Sequence, residues 1–581
     1  VSPASAALTG HTGGPAEPDV RSSAGPLDEE ERAQLGRLRR WGTTGALLMA
    51  LGATSSYGAA TPNPNPVDGV RIIGLISRVS TGALGISYAG MGLLVISWLL
   101  LGRLAAPGRA RRLSRSQLSH TLAMWTVPFL VTPPIFSRDV YSYLAVGSMA
   151  LRGFNPYEMG PYDALGDGDV FVHQADGRWQ HTPTPYGPAF ILIAKGIVAI
   201  SGQHVVVGVL LQRLVELIGV AGIIWALPRL ARRCGLDPVS ALWLGALNPL
   251  VLFHLIAGGH NEALMLGAML VGLEWGLGRS WVGGTMLISF AVAIKATAGL
   301  ALPFLVVALA LRRSVGWKPL LRQVILVGAV AAATFAALTV IAGYGLGWIN
   351  GLGAPGTVRS FLSISTSLAV GAGALGRVLG LGDHTDAAVA VLQPAGTAVG
   401  GLLAVGFVWL AWRGVPWINE GRRVPPILAL GLALSCFVLL GPVIQPWYLL
   451  WAVLPLAAAT GDRRFRGAAT LFTAAYALII MPNGMTIPVF TIVQAVVAAA
   501  VVAGIMLILL WRSGLPTSVA APAQTVDDDD HYGAQRQRPA YVPAEVADDT
   551  ASGRRFAPRR GARSENRQRA TGRPSGANRR R

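Results

Sequence analysis

Residues 136–157, "FSRDVYSYLAVGSMALRGFNPY", set Arg138 and Asp139 side by side and follow them with Tyr141 and Tyr143. They come directly after an apolar run, "TLAMWTVPFLVTPPI". A carboxylate at such a place can serve as a general base in a partly dry site, with tyrosine rings shaping a pocket around it. On a helix Asp139 and Tyr143, four residues apart, share a face. The same residues also fit an interfacial aromatic belt with a local Arg138–Asp139 ion pair.

Three further groups have chemical potential. In "AGGHNEA" (257–263), His260, Asn261 and Glu262 can hydrogen-bond sugar hydroxyls. Asn261 and Glu262 equally suit a helix cap and first turn, which leaves His260 without a role. Lys195, Arg213 with Glu216, and Lys295 are charges inside apolar runs, where a charge costs about 2.5–3.5 kcal/mol on insertion scales. Arg213 and Glu216 have the i, i+3 spacing of a neutralising pair. Lys295, in "AVAIKATAGL", has no acidic neighbour in sequence, so it is a candidate to hold a phosphate, or else a snorkelling side chain. In "GPVIQPWYLLW" (441–451), Gln445, Trp447, Tyr448 and Trp451 can stack on and bond to sugar rings, or populate a membrane interface.

The elements that must position these residues are membrane helices. Of 581 residues 52% are hydrophobic and only 13% charged, with a mean hydropathy of +0.49; soluble domains carry about 25% charge. Continuous apolar runs of roughly 17–25 residues recur, each able to cross the hydrocarbon core, whereas a barrel would alternate in polarity over about ten residues. The expected fold is an all-α polytopic membrane protein. The net charge of +19 lies in short Arg clusters and an Arg-rich tail, a pattern of membrane orientation rather than of nucleic-acid binding. Two cysteines, Cys234 and Cys436, support neither a disulfide framework nor a Cys-based metal site. Residues 1–40 and 513–581 read as disordered ends, the first without the apolar core of a cleavable signal peptide.

Candidate spans are 42–59, 82–102, 117–135, 204–228, 238–257, 262–278, 281–296, 298–312, 322–343, 386–412, 426–443, 447–461, 467–483 and 487–511. The Arg-rich loops at 102–115, 229–233, 312–313, 413–423 and 463–466 are assigned to the cytoplasm, and both termini with them. This scheme requires "YGPAFILIAKGIVAI" (186–200) to be a short helix in or near the outer interface, not a span. Residues 136–203 and 344–385 then become external segments, and residues 41–512 one transmembrane catalytic domain. No Gly-rich phosphate loop, zinc motif or nucleotide-binding unit is evident.

The segments "SRDVYSYLAVGSMALRGFNPY", "TPTPYGPAF", "SALWLGALNPL", "AGGHNEALMLG", "AIKATAGLALP" and "QPWYLLW", spread over residues 28–512, resemble the GT-C glycosyltransferases. Among these the chain is most similar to the actinobacterial polyprenol-phosphomannose-dependent α-1,6-mannosyltransferases of B type. The resemblance implies roughly 13–15 transmembrane helices with external juxtamembrane or re-entrant helices. It implies inverting transfer of mannose from polyprenol-phosphate-β-mannose to the 6-hydroxyl of an α-1,6-mannan, the backbone of lipomannan and lipoarabinomannan. The acceptor is then mannosylated phosphatidylinositol or another lipid-anchored mannan, at the external face of the plasma membrane. In this reading Asp139 is the base, and Lys295 and Arg138 face the donor phosphate. Tyr141, Tyr143, His260, Asn261, Glu262, Gln445, Trp447 and Tyr448 contact sugars. Some GT-C enzymes carry Asp-x-Asp or Glu-x-Asp; here positions 137 and 141 are Ser and Tyr, so neither a divalent metal nor another cofactor is expected. A lipid-linked sugar flippase is the rival reading; it would show internal repeats with matching broken helices, and none is evident.

Overall fold

Away from water, a backbone must satisfy its own N–H and C=O groups, and a helix does so within one segment. A computed structural model describes residues 25–353, 356, 360, 362–414, 424–484, 497 and 508. Among these every regular element is helical, and one isolated bridge joins Gly25 to Arg111. The chain is an all-α polytopic membrane protein. Candidate span 487–511, apart from Val497 and Ile508, and the tail from 513 lie outside the described residues, as does the basic loop 415–423.

The first helix, α1 (Glu29–Gly52), begins earlier than expected, so residues 29–40 belong to it and not to a disordered end. The cause is local. Asp28 accepts the Glu31 N–H at 2.8 Å and Glu31 accepts the Asp28 N–H at 3.1 Å, a capping box, with Glu29, Glu30 and Glu31 in the first turn. Asp28 and Glu31 also pair with Arg111 (2.6 Å) and Arg109 (2.5 Å), which fastens this start to the loop after α2 (Ser80–Leu104).

The helices that follow are α3 (Arg115–Thr126), α4 (Asp139–Leu151), α5 (Pro188–Ser201), α6 (Val205–Arg233) and α7 (Pro238–Leu244). Next come α8 (Glu262–Gly278), α9 (Trp281–Val292), α10 (Ala301–Leu311) and α11 (Trp317–Ala342). The last are α12 (Ile364–Val378), α13 (Thr385–Arg413), α14 (Pro426–Leu440), α15 (Leu449–Ala459) and α16 (Arg463–Ile479). Four of them, α2, α6, α11 and α13, are long and apolar enough to cross a membrane, and several others are shorter apolar helices. On α11 and α13 the side chains of Val340, Ile341, Leu402 and Val405 are 67–79% exposed, as suits helices that face lipid.

The segment 238–257, expected as one span, is broken. Asn248 precedes a proline, which disfavours helical backbone there. Its side chain satisfies the groups the break frees, bonding the Leu244 carbonyl at 2.9 Å and the Leu250 N–H at 2.8 Å. A π-helical stretch, Val251–Ala257, then leads into the turn that bears His260. Such stretches are frequent at functional sites.

The bundle has two unlike ends. At one, Arg112 pairs with Asp237, Arg233 with Glu274, and Arg466 donates to Ser240, so the basic loops gather together. At the other, buried Arg213 of α6 donates to the carbonyls of Leu130, Thr132, Ile256 and Ala257 at 2.7–3.2 Å. Cations suit the carbonyl ends of helices. Arg213 therefore does not neutralise Glu216, whose carboxylate bonds Gln212 and the Leu264 N–H instead. The N-terminal turns of α6 continue past that level, where Gly208 approaches Leu144 of α4 and Ser201 of α5. Short α5, about 21 Å long at 1.5 Å per residue, lies against α4.

Where α6 meets α8 the backbones touch, because a Cβ on Gly219 would collide with the Ala263 backbone and one on Gly267 with Gly219. Small residues at such a crossing let membrane helices pack through van der Waals contact. Gly219→Leu is expected to push α8 away and cost about 1–3 kcal/mol or more. The check is the yield of monodisperse protein in detergent and its unfolding temperature, both of which should fall.

Candidate active site

Asp139 opens α4, and the partial positive charge of a helix N-terminus favours a carboxylate there. Its N–H donates to Ser137 Oγ at 3.0 Å. The approach is strained: Phe136 has φ +72°, unusual for a bulky residue. Three contacts hold it. The Ile135 N–H donates to the Ala257 carbonyl (3.1 Å), the Phe136 N–H to the Pro482 carbonyl (2.5 Å), and the Phe136 ring packs on Phe253 and His254. Arg138 turns away from Asp139 and donates to the carbonyls of Gln174 (2.9 Å) and Thr61 (3.3 Å). The local ion pair allowed by the sequence is therefore replaced by backbone contacts.

Asp139 Oδ2 instead lies 3.6 Å from His260 Nε2. His260 Nδ1 is 2.8 Å from the His254 carbonyl, so this nitrogen carries the donated proton and Nε2 is left facing Asp139. The ring lies against Trp447 at a centroid distance of 3.8 Å. His260, Asn261 and Glu262 are all fully buried. Asn261 precedes α8 but its side chain caps nothing, and both its polar atoms are buried without a partner. The capping explanation therefore fails for Asn261. Glu262 pairs with Lys295, which the turn after α9 delivers from the neighbouring helix end. The rings of Tyr448 (4.6 Å), Trp451 (5.4 Å) and Tyr186 (5.8 Å) surround the Lys295 ammonium. Such rings attract a cation electrostatically.

One cavity of about 2090 Å³ brings these residues together. Arg138, Asp139, Lys295, Gln445, Trp447 and Tyr448 line it. The other residues expected to contact sugars do not. Tyr141 is fully buried with its hydroxyl donated to the Ala60 carbonyl at 2.6 Å, and Tyr143 is packed edge-on against Tyr186 and Phe190. His260, Asn261 and Glu262 stand behind the wall and hold Asp139 and Lys295 in it. Sequence reasoning missed Tyr186, Asp176, Arg178 and Trp179, which also line the cavity. No periodicity marks them. The cavity is also lined by Leu300, Val389, Ala390, Pro394, Ala398 and Val438, a largely apolar surface interrupted by Asp386, Gln393 and Thr397. Burial pushes the Asp139 carboxyl above its ordinary value, with His260, Ser137 and Lys295 pulling the other way and Glu262 adding to the rise.

Comparisons with known proteins identify the family. A family described as α-(1→6)-mannopyranosyltransferase, N-terminal domain, matches residues 39–311, and an associated C-terminal domain matches residues 365–508. A Mycolicibacterium smegmatis protein named a probable α-(1→6)-mannopyranosyltransferase is 41% identical over 88% of this chain and 96% of its own. An α-(1→6)-mannopyranosyltransferase of Mycobacterium tuberculosis is 38% identical over 92% of this chain and 97% of its own. α-(1→6)-Mannopyranosyltransferase B of Corynebacterium glutamicum is 35% identical, covering 86% of each chain. No solved structure matches.

Gly484, with φ +68°, closes the support of the strained approach to Asp139: a Cβ there would sit 2.7 Å from the Phe136 carbonyl oxygen. Gly484→Ala is expected to displace Phe136 and lower turnover by roughly 10²-fold, the scale of a misplacement of about 1 Å. Purified variant and wild type, compared for kcat and for unfolding temperature, check this; kcat should fall far more than stability.

Proposed function

The chain belongs to the α-(1→6)-mannopyranosyltransferase family, and we propose that it moves mannose from polyprenol-phosphate-β-mannose to the 6-hydroxyl of a growing α-1,6-mannan. The observation that carries this reading is the shared cavity, in which the Asp139 carboxylate and the Lys295 ammonium stand on one wall system that runs on into an apolar groove. A polyprenol chain fits the groove, its phosphate reaches Lys295, and the sugar it carries lies toward Asp139.

In the proposed step the acceptor 6-oxygen bonds to the anomeric carbon as the bond from that carbon to the phosphate oxygen breaks. Attack opposite the leaving phosphate converts a β-linked donor into an α-linked product. Asp139 takes the hydroxyl proton, and the departing phosphate keeps the electron pair. A phosphate leaves as a stable anion, so no second carboxyl is needed to protonate it, unlike glycoside hydrolysis. Lys295 spends one of its three donors on Glu262 and offers charge to the phosphate with the rest. Trp447, Tyr448 and Gln445 present ring faces and an amide to sugars. No step is assigned to a divalent metal, and transfer is expected to continue unchanged in excess EDTA.

The proposed acceptor is a lipid-anchored mannan such as mannosylated phosphatidylinositol. The cavity end is proposed to face outward, with the basic end, and so the N-terminal side of α1, in the cytoplasm. Asp167, 79% exposed in the segment 136–203, supplies the test. Asp167→Cys should react with a membrane-impermeant thiol reagent on intact cells; labelling only after lysis would reverse the orientation.

The experiment on mechanism is Asp139→Asn, which keeps size but cannot take a proton. Transfer by the purified variant should fall about 10²–10⁴-fold, the usual contribution of a positioned base. Donor affinity and yield should change little, and more than half of wild-type transfer would refute the assignment. The raised carboxyl adds a pH signature. Only ionised Asp139 works as a base, so the rate should fall with decreasing pH through a value above about 3.9, the ordinary Asp value. That acid limb should be absent from the residual activity of Asp139→Asn.

A further inference from the structure

The cavity has two unlike walls. One holds Lys295 and a face of α13 in which Val389, Ala390, Pro394 and Ala398 outnumber Asp386, Gln393 and Thr397; the other is built by Asn63 and residues 173–179, carrying His173, Gln174, Asp176, Arg178 and Trp179. That second wall offers no aliphatic side chain larger than Ala175, so a lipid chain gains nothing from it. It is nonetheless firmly built. Asp176 accepts the Arg178 N–H (3.0 Å), Nε (2.9 Å) and Nη2 (2.9 Å), which fixes the guanidinium plane in the cavity with its side chain 60% exposed. The Gln174 amide bonds the Asn63 backbone in both directions at 2.8 Å. Arg138 bonds the Gln174 carbonyl, so the residue before Asp139 is fastened to this wall.

Arg178 is already neutralised by Asp176, which disfavours an anion and suits a neutral ligand rich in hydroxyls. With Nε and one Nη2 hydrogen held by Asp176, the Nη1 and remaining Nη2 N–H groups form the outward edge of a fixed plane, donors that hydroxyl oxygens can accept. The half-exposed indole of Trp179 beside it gives a flat face for the C–H side of a pyranose ring. Resting on the function proposed above, we infer that this wall is the acceptor subsite: it binds the α-1,6-mannoside chain, with Trp179 as platform and Arg178 as hydroxyl donor. The lipid donor occupies the opposite wall, and the two sugars meet at Asp139.

The test uses the purified full chain with polyprenol-phosphomannose as donor and an alkyl α-1,6-dimannoside as acceptor. Trp179→Ala should raise the acceptor KM roughly 10-fold, equivalent to about 1.4 kcal/mol, with the donor KM within about twofold of wild type. Trp179→Phe, which keeps a flat ring, should restore most of the acceptor affinity. Arg178→Gln, an exchange at an exposed side chain that the fold tolerates, should raise the acceptor KM and leave the donor KM alone even if Trp179→Ala fails to fold. A rise in donor KM instead, or an acceptor KM unchanged in Arg178→Gln and in every folded Trp179 variant, overturns the subsite. Wild-type protein that transfers no mannose overturns the functional reading itself, which separates the two failures.

Discussion

The ion pair between Lys295 and Glu262 is the interaction on which the site depends. Both partners are removed from water, Glu262 completely, and taking an ion out of water costs several kcal/mol unless a partner and hydrogen bonds compensate. The pair ties the start of α8 to the turn after α9. That hairpin end also presents His260 to Asp139 and offers the Ala257 carbonyl to both Ile135 and Arg213. Break the pair, and the turn that holds the carboxylate loses its anchor together with the cation that lines the cavity. One buried charge pair therefore serves position and chemistry at once.

The remaining architecture can be understood as protecting that arrangement from two solvents. Toward lipid, α11 and α13 present apolar side chains, and close glycine contacts hold α6 to α8 together with the Glu216–Leu264 and Arg233–Glu274 links. Toward water, the layer made of α4, α5 and residues 160–184 covers the helix ends with short helices fixed by Asp176, Gln174 and Arg138. Asp139 sits at the seam between the two.

Most of the helical plan was legible in the sequence, because apolar runs of span length have few alternatives. That Asp139 stands where the chain leaves an apolar run was legible too; its place in the cavity wall came from the fold. What was hidden depends on contacts distant along the chain. Glu262 and Lys295 are 33 residues apart, and Arg213 reaches carbonyls more than 40 residues away, so local spacing suggested the wrong partner for Arg213 and none for Lys295. Tyr141 and Tyr143 were mistaken for pocket residues because position in sequence says nothing about which side of a helix packs inward. The helical residues 29–40 were misjudged from composition, although Asp28 and Glu31 form a capping box whose spacing is visible in the chain. Asp176, Arg178 and Trp179 carry no periodic signal; bonds from Gln174 to Arg138 and to Asn63, both distant in the chain, bring their segment to the cavity.

A structure of the chain with a non-transferable polyprenol-phosphomannose analogue and an α-1,6-mannoside acceptor tests the central claim most directly. The account predicts the acceptor 6-hydroxyl within about 2.6–3.2 Å of the Asp139 carboxylate, the reach of a general base. It also predicts the anomeric carbon beyond that hydroxyl and the donor phosphate at Lys295. A phosphate bound away from Lys295, or an acceptor hydroxyl facing another group with Asp139 out of reach, would contradict it.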